Sequence, residues 1–143
     1  MALTTANQTT KIYCDTCIFL DFLGGRSDSL RPLDEFAHQI FRRVKAGEFQ
    51  LVVSDWVMFE VQKHIKKEQF DDFLKSFSIG QIIHIFKNSN DIIRARSISP
   101  EHYHDALHAI LANKAGAEYL LTRDVGGFVG CGHLVKVRFP ENI

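Results

Sequence analysis

The sequence has no excess of charge of either sign, because 17 lysines and arginines balance 17 aspartates and glutamates. It contains no stretch near the roughly 18 apolar residues that a membrane-spanning helix needs. Residues 1–10 have neither the basic start nor the apolar centre of a secretory signal peptide. The three cysteines are an odd number, which argues against a disulfide framework and for a reducing compartment. We therefore expect a cytoplasmic protein with free thiols and no membrane partner.

The length and composition fit one ordinary globular domain. The 143 residues are 45% hydrophobic and 24% charged, a balance typical of neither disordered nor fibrous chains. A chain of this length can bury roughly two thirds of its unfolded surface. We expect residues 1–10 to form a flexible lead-in and residues 11–143 to form a single domain.

Short apolar runs alternate with helical patterns along the whole chain. The candidate strands cover residues 11–15, 49–53, 80–86, 118–122 and 134–139. The candidate helices cover 16–23, 32–46, 55–67, about 70–77, 91–97 and 102–116. This alternation predicts an α/β fold, with a parallel sheet of four to five strands covered by helices on both faces.

Four acidic residues occupy positions where a solvent-exposed side chain is not expected. Asp15 and Asp124 each follow a candidate strand, and the carboxyl ends of parallel strands share the edge where α/β sheets bind ligands. Glu60 lies on the inner face of the helix that leaves the second strand, and Asp105 begins a helix that is apolar nearly all round. Each acid alone could be a cap, a turn residue or the partner of a lysine. Together, they predict an acidic cluster at one edge of the sheet.

Such a cluster needs a cation. Two carboxylates about 4 Å apart repel by roughly 4 kcal/mol at an effective dielectric constant near 20. Several such pairs would rival the roughly 5–15 kcal/mol that stabilises a whole domain. Oxygen ligands of this kind select Mg²⁺ or Mn²⁺. The pattern thus suggests metal-assisted hydrolysis of a phosphodiester, which requires no serine or cysteine nucleophile.

Four segments in chain order carry a family pattern: YCDTCIFLDFL (13–23), SDWVMFEV (54–61), HDALHAILA (104–112) and YLLTRD (119–124). With this order and spacing, the chain resembles the PIN-domain nucleases, and especially the VapC-type toxins of toxin–antitoxin pairs. The resemblance extends from about residue 11 to about residue 140. It implies a three-layer α/β/α sandwich and an endoribonuclease that uses Mg²⁺ or Mn²⁺ to cleave RNA.

The resemblance also implies roles for individual residues. Asp15, Glu60, Asp105 and Asp124 would be the catalytic, metal-binding quartet. Thr122 matches the threonine of the family's TxD or TxN segment, and Thr16 matches the small hydroxyl residue after the first acid. Related toxins bind an antitoxin and form homodimers, so an exposed apolar stripe in FDDFLKSF (70–77) would be a partner site.

The chain departs from the family at two positions. Cys17 stands where many members have asparagine or serine, and a thiol is a poorer hydrogen-bond donor than either. Gly127 stands where many members have a further acid before the phenylalanine. These departures are the basis of an alternative interpretation, a catalytically weakened PIN-like module that binds RNA or a protein.

The basic residues offer contacts for RNA phosphates. Without the four quartet acids, 13 acidic residues face 17 lysines and arginines. The alternative for each basic cluster is a solvated helix face. The candidates are Arg42, Arg43, Lys63, Lys67 and Arg123, with Lys45, Lys66, Arg94 and Arg96 beside them.

The cysteines permit two further interpretations. Cys14 and Cys17 form a C-x-x-C at a strand-to-helix junction, where a redox pair would lie, but the Asp-Thr spacer lacks glycine or proline. Joined by Cys131 and His133, they would make a Cys₃His zinc set. Against zinc, Cys14 should point from its strand into the core.

Two histidines are spaced for one helix face. His104 and His108 are four residues apart and could form a metal pair. Because no H-E-x-x-H pattern accompanies them, we expect ordinary core or surface histidines, with His104 next to Asp105.

Overall fold

The computed structural model describes residues 9–24 and 32–143. The strands are β1 (Thr10–Cys14), β2 (Phe49–Ser54), β3 (Ile82–Ile85), β4 (Tyr119–Leu121) and β5 (Lys136–Arg138). The helices are α1 (Thr16–Leu23), α2 (Leu33–Lys45), α3 (Asp55–Val61), α4 (Lys67–Lys75), α5 (Ser89–Ile98) and α6 (Tyr103–Lys114). Most of the expected lead-in at 1–10, and the expected loop at 26–31, lie outside the described residues.

All five strands are parallel, in the order β3-β2-β1-β4-β5. From the central β1, the chain first builds outward through β2 and β3, and it later returns to place β4 and β5 on the other side. The point where the strand order reverses is therefore the junction of β1 and β4. In open α/β sheets, a crevice forms there at the carboxyl ends of the strands.

Both faces of the sheet are covered. Ile12, Tyr13 and Cys14 are consecutive in β1 and fully buried, although neighbouring side chains point to opposite faces. On one face, Tyr13 reaches a histidine of α6, which packs against α5. The predicted α/β/α sandwich is thus confirmed. Among the described residues no helix has both the length and the apolar character that a bilayer crossing requires.

The other outer layer is held together by phenylalanines. Phe19 of α1 contacts the rings of Phe41 in α2 and of Phe70 and Phe73 in α4, at centroid distances of 5.3–6.2 Å. Phe70, Phe73 and Phe77 are all buried. The apolar stripe at 70–77 is therefore covered by the chain's own helices α1 and α2, and it is not the exposed partner patch considered from the sequence.

The boundary between α3 and α4 differs from the prediction. We expected one helix up to about Lys67, but α3 ends at Val61 and a new helix starts at Lys67. Lys66 is extended, with φ −68° and ψ 143°. In the intervening segment only Ile65 is partly buried, so little apolar surface holds it helical, and the break lets the α4 phenylalanines reach α1 and α2. The other strands and helices match their predicted ranges within two residues at each end.

The phenylalanine layer generates a stability prediction. Phe70→Ala should lower the free energy of unfolding by about 3–5 kcal/mol, because it empties a fully buried site between packed rings. Phe86→Ala is the matched control: its ring is 63% exposed, so its loss should cost less than about 0.5 kcal/mol. Urea unfolding of both variants measures the difference. Equal effects would show that α4 does not pack as described.

Candidate active site

Asp15 is fixed at the junction of the two central strands. It directly follows β1, and its backbone N–H donates to the carbonyl of Leu121 in β4 (2.9 Å). Its Oδ1 accepts from the backbone N–H of Thr16 (2.7 Å), so the carboxylate caps α1. Its Oδ2 accepts from the hydroxyl of Thr122 (3.0 Å). The carboxylate is therefore oriented by hydrogen bonds from both sides of the crevice.

Glu60, which belongs to α3, lies close to Asp15. The Ser54 hydroxyl accepts from the backbone N–H of Val57 (3.0 Å) and so begins α3 at the carboxyl end of β2. One and a half turns later, Glu60 Oε1 accepts from the Thr16 hydroxyl (2.6 Å). Thr16 thus contacts both acids, with its backbone N–H on Asp15 and its side chain on Glu60.

His108 is a site residue whose role the sequence did not reveal. Although it is 1% exposed, its Nε2 lies 2.7 Å from Glu60 Oε1 and 3.4 Å from Asp15 Oδ1. Because a carboxylate only accepts, Nε2–H donates to Glu60. On the other side of the ring, Nδ1 lies 2.6 Å from the Tyr13 hydroxyl, which is 2.7 Å from the Ser54 hydroxyl. The available signal was a polar residue inside the apolar ALHAILA run, since such a residue requires a buried partner.

Glu60 and His108 favour each other's charged form. Burial alone would lower the pKa of His108, but the hydrogen bond to Glu60 and the nearby carboxylates raise it overall. Likewise, burial alone would raise the pKa of Glu60, but the hydrogen bond and charge of His108 and the Thr16 hydroxyl lower it overall. Each group therefore shifts the pKa of the other in the direction that favours an ion pair inside the site.

Asp105 and Asp124 complete the acidic surroundings. Asp105, in the first turn of α6, lines the same cleft as Asp15 and Glu60. Burial, followed by the negative charge of Asp15, raises the pKa of Asp105 to about 6, and Asp124 adds to this effect. The exposed Asp124 donates its backbone N–H to the Thr122 hydroxyl (3.0 Å).

The loop after β4 brings these two acids close to each other. A Cβ on Gly127 would lie 2.6 Å from Asp105 Oδ2 and 3.1 Å from Asp124 Oδ2. Both carboxylates therefore lie against the backbone of Gly127. A residue with a side chain at this position would collide with them, whereas glycine does not.

The acids differ in how closely they converge. Asp15, Glu60 and His108 each place a candidate ligand atom within 4.8 Å of the others. Asp105 faces them across an open cleft of about 370 Å³, and Asp124 is not part of its lining. The assignment of all four acids to catalysis and metal binding remains a prediction.

The donor chemistry of the site fits a hard divalent cation. Because His108 Nε2 carries the proton that it donates to Glu60, this nitrogen cannot bind a metal. The remaining candidate ligands are the carboxylate oxygens, which have further lone pairs. Burial, followed by the charge of Asp15, raises the pKa of Asp105, so a cation in this cleft would stabilise the ionised form of Asp105. Oxygen donors and excess negative charge are what Mg²⁺ or Mn²⁺ requires.

The cysteines do not form the sites considered from the sequence. Cys17 Sγ lies 3.7 Å from Asp15 Oδ2 and 3.7 Å from the Thr122 hydroxyl. Burial, followed by the charge of Asp15, raises the pKa of Cys17 to about 12, whereas redox and zinc cysteines need a lowered pKa. Cys14 is fully buried, and burial raises its pKa as well. In the described part of the chain, no cysteine belongs to a metal-capable cluster, so Cys131 and His133 do not complete a zinc set.

Three of the proposed RNA contacts lie at or near the cleft. Lys63 and Arg123 line it directly. Arg123 Nε is 3.2 Å from Asp21 Oδ2, which ties its guanidinium to α1. Lys67 lies beyond Lys63 on a shallow surface that continues from the cleft, and its ammonium is 3.7 Å from Asp71.

Two other proposed contacts lie at the opposite end of the sheet. Arg42 and Arg43 are in the last turn of α2, just before β2 begins, and hence at the amino ends of the strands. The guanidinium of Arg43 donates to the Glu48 carboxylate and to the carbonyl of Ile143 (2.7 Å), and it lies over the Phe49 ring. These two arginines therefore do not face the acidic cleft.

The charge crowding around Asp105 generates a prediction about pH. Without divalent cations at pH 7.5, Asp105→Asn should be more stable than wild type by on the order of 1 kcal/mol, because it removes one repelling carboxylate. Since the pKa of Asp105 in the folded protein is about 6, above the value near 3.9 of an unfolded chain, wild type loses stability as the pH rises from about 4 to about 6. The advantage of the variant should therefore shrink as the pH falls below 6 and vanish below about pH 4.

Thermal unfolding in EDTA from about pH 3.5 to about pH 8 measures this, with about 4 °C expected per kcal/mol. Asp72→Asn, an exposed change on α4, is the control and should show no such pH dependence. An Asp105→Asn protein that is less stable than wild type at pH 7.5 would contradict the crowding described above.

Comparisons with known proteins agree with this architecture. A family model described as the PIN domain matches residues 11–126. None of the functionally curated proteins matches the chain in sequence. Its fold is similar to a chain in the structure of FitAB bound to an IR36 DNA fragment, with a TM-score of 0.59 and 19% identity over 92% of this chain and 96% of that one.

A second similar chain comes from VapBC2 of Rickettsia felis, in a crystal structure with a DNA fragment from their promoter. Its TM-score is 0.58, with 16% identity over 91% of this chain and 98% of that one. At such low identities, these two likenesses show a shared fold. The family model matches most of the sequence, and the chain accordingly belongs to the PIN-domain family.

Proposed function

We propose that this protein is a divalent-metal-dependent endoribonuclease that hydrolyses RNA phosphodiesters through Asp15, Glu60, Asp105 and Asp124. The observation that carries the proposal is the meeting of Asp15 and Glu60 at the switch point of a parallel sheet, with Asp105 in the same cleft. Membership of the PIN-domain family supports nuclease chemistry.

The four acids would hold Mg²⁺ or Mn²⁺. When bound, such a cation activates the attacking water and neutralises charge on the phosphate. The protein itself provides orientation: Thr16 and Thr122 fix the Asp15 carboxylate, and His108 with Thr16 fixes Glu60. Lys63 and Arg123 add positive charge at the cleft, where RNA phosphates would approach.

The biological setting we propose is that of a VapC-like toxin. The sequence resembles VapC-type toxins, and the two similar structures are of FitAB and VapBC2 with DNA. By this analogy the chain would act on RNA in the cytoplasm, form a homodimer and be inhibited by an antitoxin protein. The three free cysteines suit a reducing compartment.

The decisive experiment compares cleavage by matched variants. With Mn²⁺ and single-stranded RNA, Asp15→Asn should reduce the cleavage rate by roughly 100-fold or more, because it removes a charge from the centre of the site. Asp72→Asn, an equivalent change on an exposed face of α4, should cleave like wild type. EDTA should abolish cleavage by both active proteins.

Product patterns from labelled RNA separate this activity from a contaminating nuclease. Cleavage that is equal in wild type and Asp15→Asn, or that is indifferent to EDTA, would contradict the proposal. RNA binding without any Asp15-dependent cleavage would instead support the weakened, non-catalytic module suggested by Cys17 and Gly127.

A further inference from the structure

Three aromatic rings stack on one another beside the cleft. The Trp56 ring lies between Phe59 and His104, with both centroid distances 5.6 Å and interplanar angles of 13° and 4°. We call these three residues the ring stack. Tyr103 extends it, with its ring centroid 4.0 Å from that of His104. Rings from α3 and α6 thus form one series, in which the three rings of the ring stack are nearly parallel and Tyr103 is tilted by 33°.

The ring stack is anchored at its centre and exposed at its ends. Trp56 is 8% exposed, and its indole N–H donates to the backbone carbonyl of His104 (3.3 Å). In contrast, Phe59 is 52% exposed and His104 is also exposed. About half of the Phe59 side chain is therefore accessible to a ligand.

The ring stack lies next to the acidic cleft, because Lys63, which lines the cleft, contacts the Phe59 ring. Phe59 immediately precedes Glu60, and His104 immediately precedes Asp105. The Trp56 ring lies 6.2 Å from the ring of His108 inside the site. A polynucleotide whose backbone crosses the cleft would therefore bring a neighbouring base to these rings.

Positive charges accompany the rings. Lys63 lines the cleft and places its ammonium 4.6 Å from the centre of the Phe59 ring. Arg96 lies 4.8 Å above the Tyr103 ring, and Lys87 lies 5.8 Å from the Trp56 ring. Lysine is flexible, so Lys63 can turn from the ring to a phosphate as RNA arrives. Aromatic faces flanked by cations are what sequence-tolerant binding of single strands uses.

We infer that the ring stack binds an unpaired base of single-stranded RNA next to the phosphodiester that enters the cleft. This inference rests on the proposed function and specifies its substrate as single-stranded. Bases in a duplex are stacked on each other and cannot offer their faces to Phe59 or His104, so paired RNA is excluded. The charges of Lys63 and Arg96 beside the aromatic faces favour RNA over an apolar protein helix as the occupant of this surface. Lys87 does not add to this, because Asp55 pairs with its ammonium at 3.3 Å.

The single tryptophan makes the inference directly measurable. Trp56 fluorescence is followed while a mixed-sequence single-stranded 12-mer, or the same sequence as a duplex, is added to the Asp15→Asn protein, which should cleave roughly 100-fold or more slowly than wild type. We expect saturable quenching by the single strand and little by the duplex. Equal quenching by both, or none by the single strand, would overturn the inference.

Matched variants separate stacking from charge. In the Asp15→Asn background, Phe59→Ala should weaken single-strand binding by roughly 5- to 100-fold, the range for loss of one stacked base. Phe59→Tyr keeps a ring and should bind within about 3-fold of the parent. Ile79→Ala, at a fully exposed position before β3, is the control and should bind like the parent. Unchanged binding by Phe59→Ala would overturn the inference.

The readouts distinguish this inference from the proposed function. Quenching with Phe59-dependent binding, but no cleavage by wild type, would uphold the ring stack and remove the catalytic proposal. Asp15-dependent cleavage with no contribution from Phe59 to binding or KM would support the catalytic proposal and overturn the inference about the ring stack. If Phe59→Ala instead changes only the monomer–dimer equilibrium in sedimentation, the surface is a protein interface and the inference fails.

Discussion

The structure depends on holding carboxylates together where they repel each other. Asp15 and Glu60 are drawn to the β1–β4 junction by hydrogen bonds from Thr16, Thr122 and His108, of which Thr122 and His108 are buried. In the poorly solvated crevice these bonds are stronger than in water, and so is the repulsion they oppose. Burial, followed by the charge of Asp15, raises the pKa of Asp105 to about 6. Such a site is arranged to accept positive charge.

The site is also part of the core. A hydrogen-bonded chain runs from Ser54 through Tyr13 and His108 to Glu60, and so joins β2, β1, α6 and α3. The same Ser54 hydroxyl begins α3, which carries Glu60. The orientation of Glu60 is thus set in part by buried groups of β1, β2 and α6. A side chain that is held in this way loses little further entropy when a ligand binds.

Simple physical rules, applied to the sequence alone, predict most of the architecture and part of the site. Alternating strands and helices predict the parallel sheet, and the shared edge of parallel strands predicts that Asp15 and Glu60 approach each other. His108 could not be assigned in this way, because its partners Tyr13 and Glu60 are 95 and 48 residues away in the sequence. Arg42 and Arg43 look like phosphate contacts by composition alone. Their position at the amino ends of the strands follows only from the topology of α2 and β2.

The two departures from the family pattern acquire a physical meaning in the structure. At Cys17, a weakly donating thiol 3.7 Å from Asp15 replaces a stronger donor. Thr16 and Thr122 already donate to both oxygens of that carboxylate, so its orientation does not depend on the thiol. At Gly127, any side chain would displace the carboxylates of Asp105 and Asp124, whose Oδ2 atoms lie 2.6 and 3.1 Å from where its Cβ would be. A further acid here would add negative charge to a cleft that already raises the pKa of Asp105. Glycine instead leaves room for the two acids to approach each other, so neither departure disturbs the arrangement of acids on which the proposed metal-assisted hydrolysis rests.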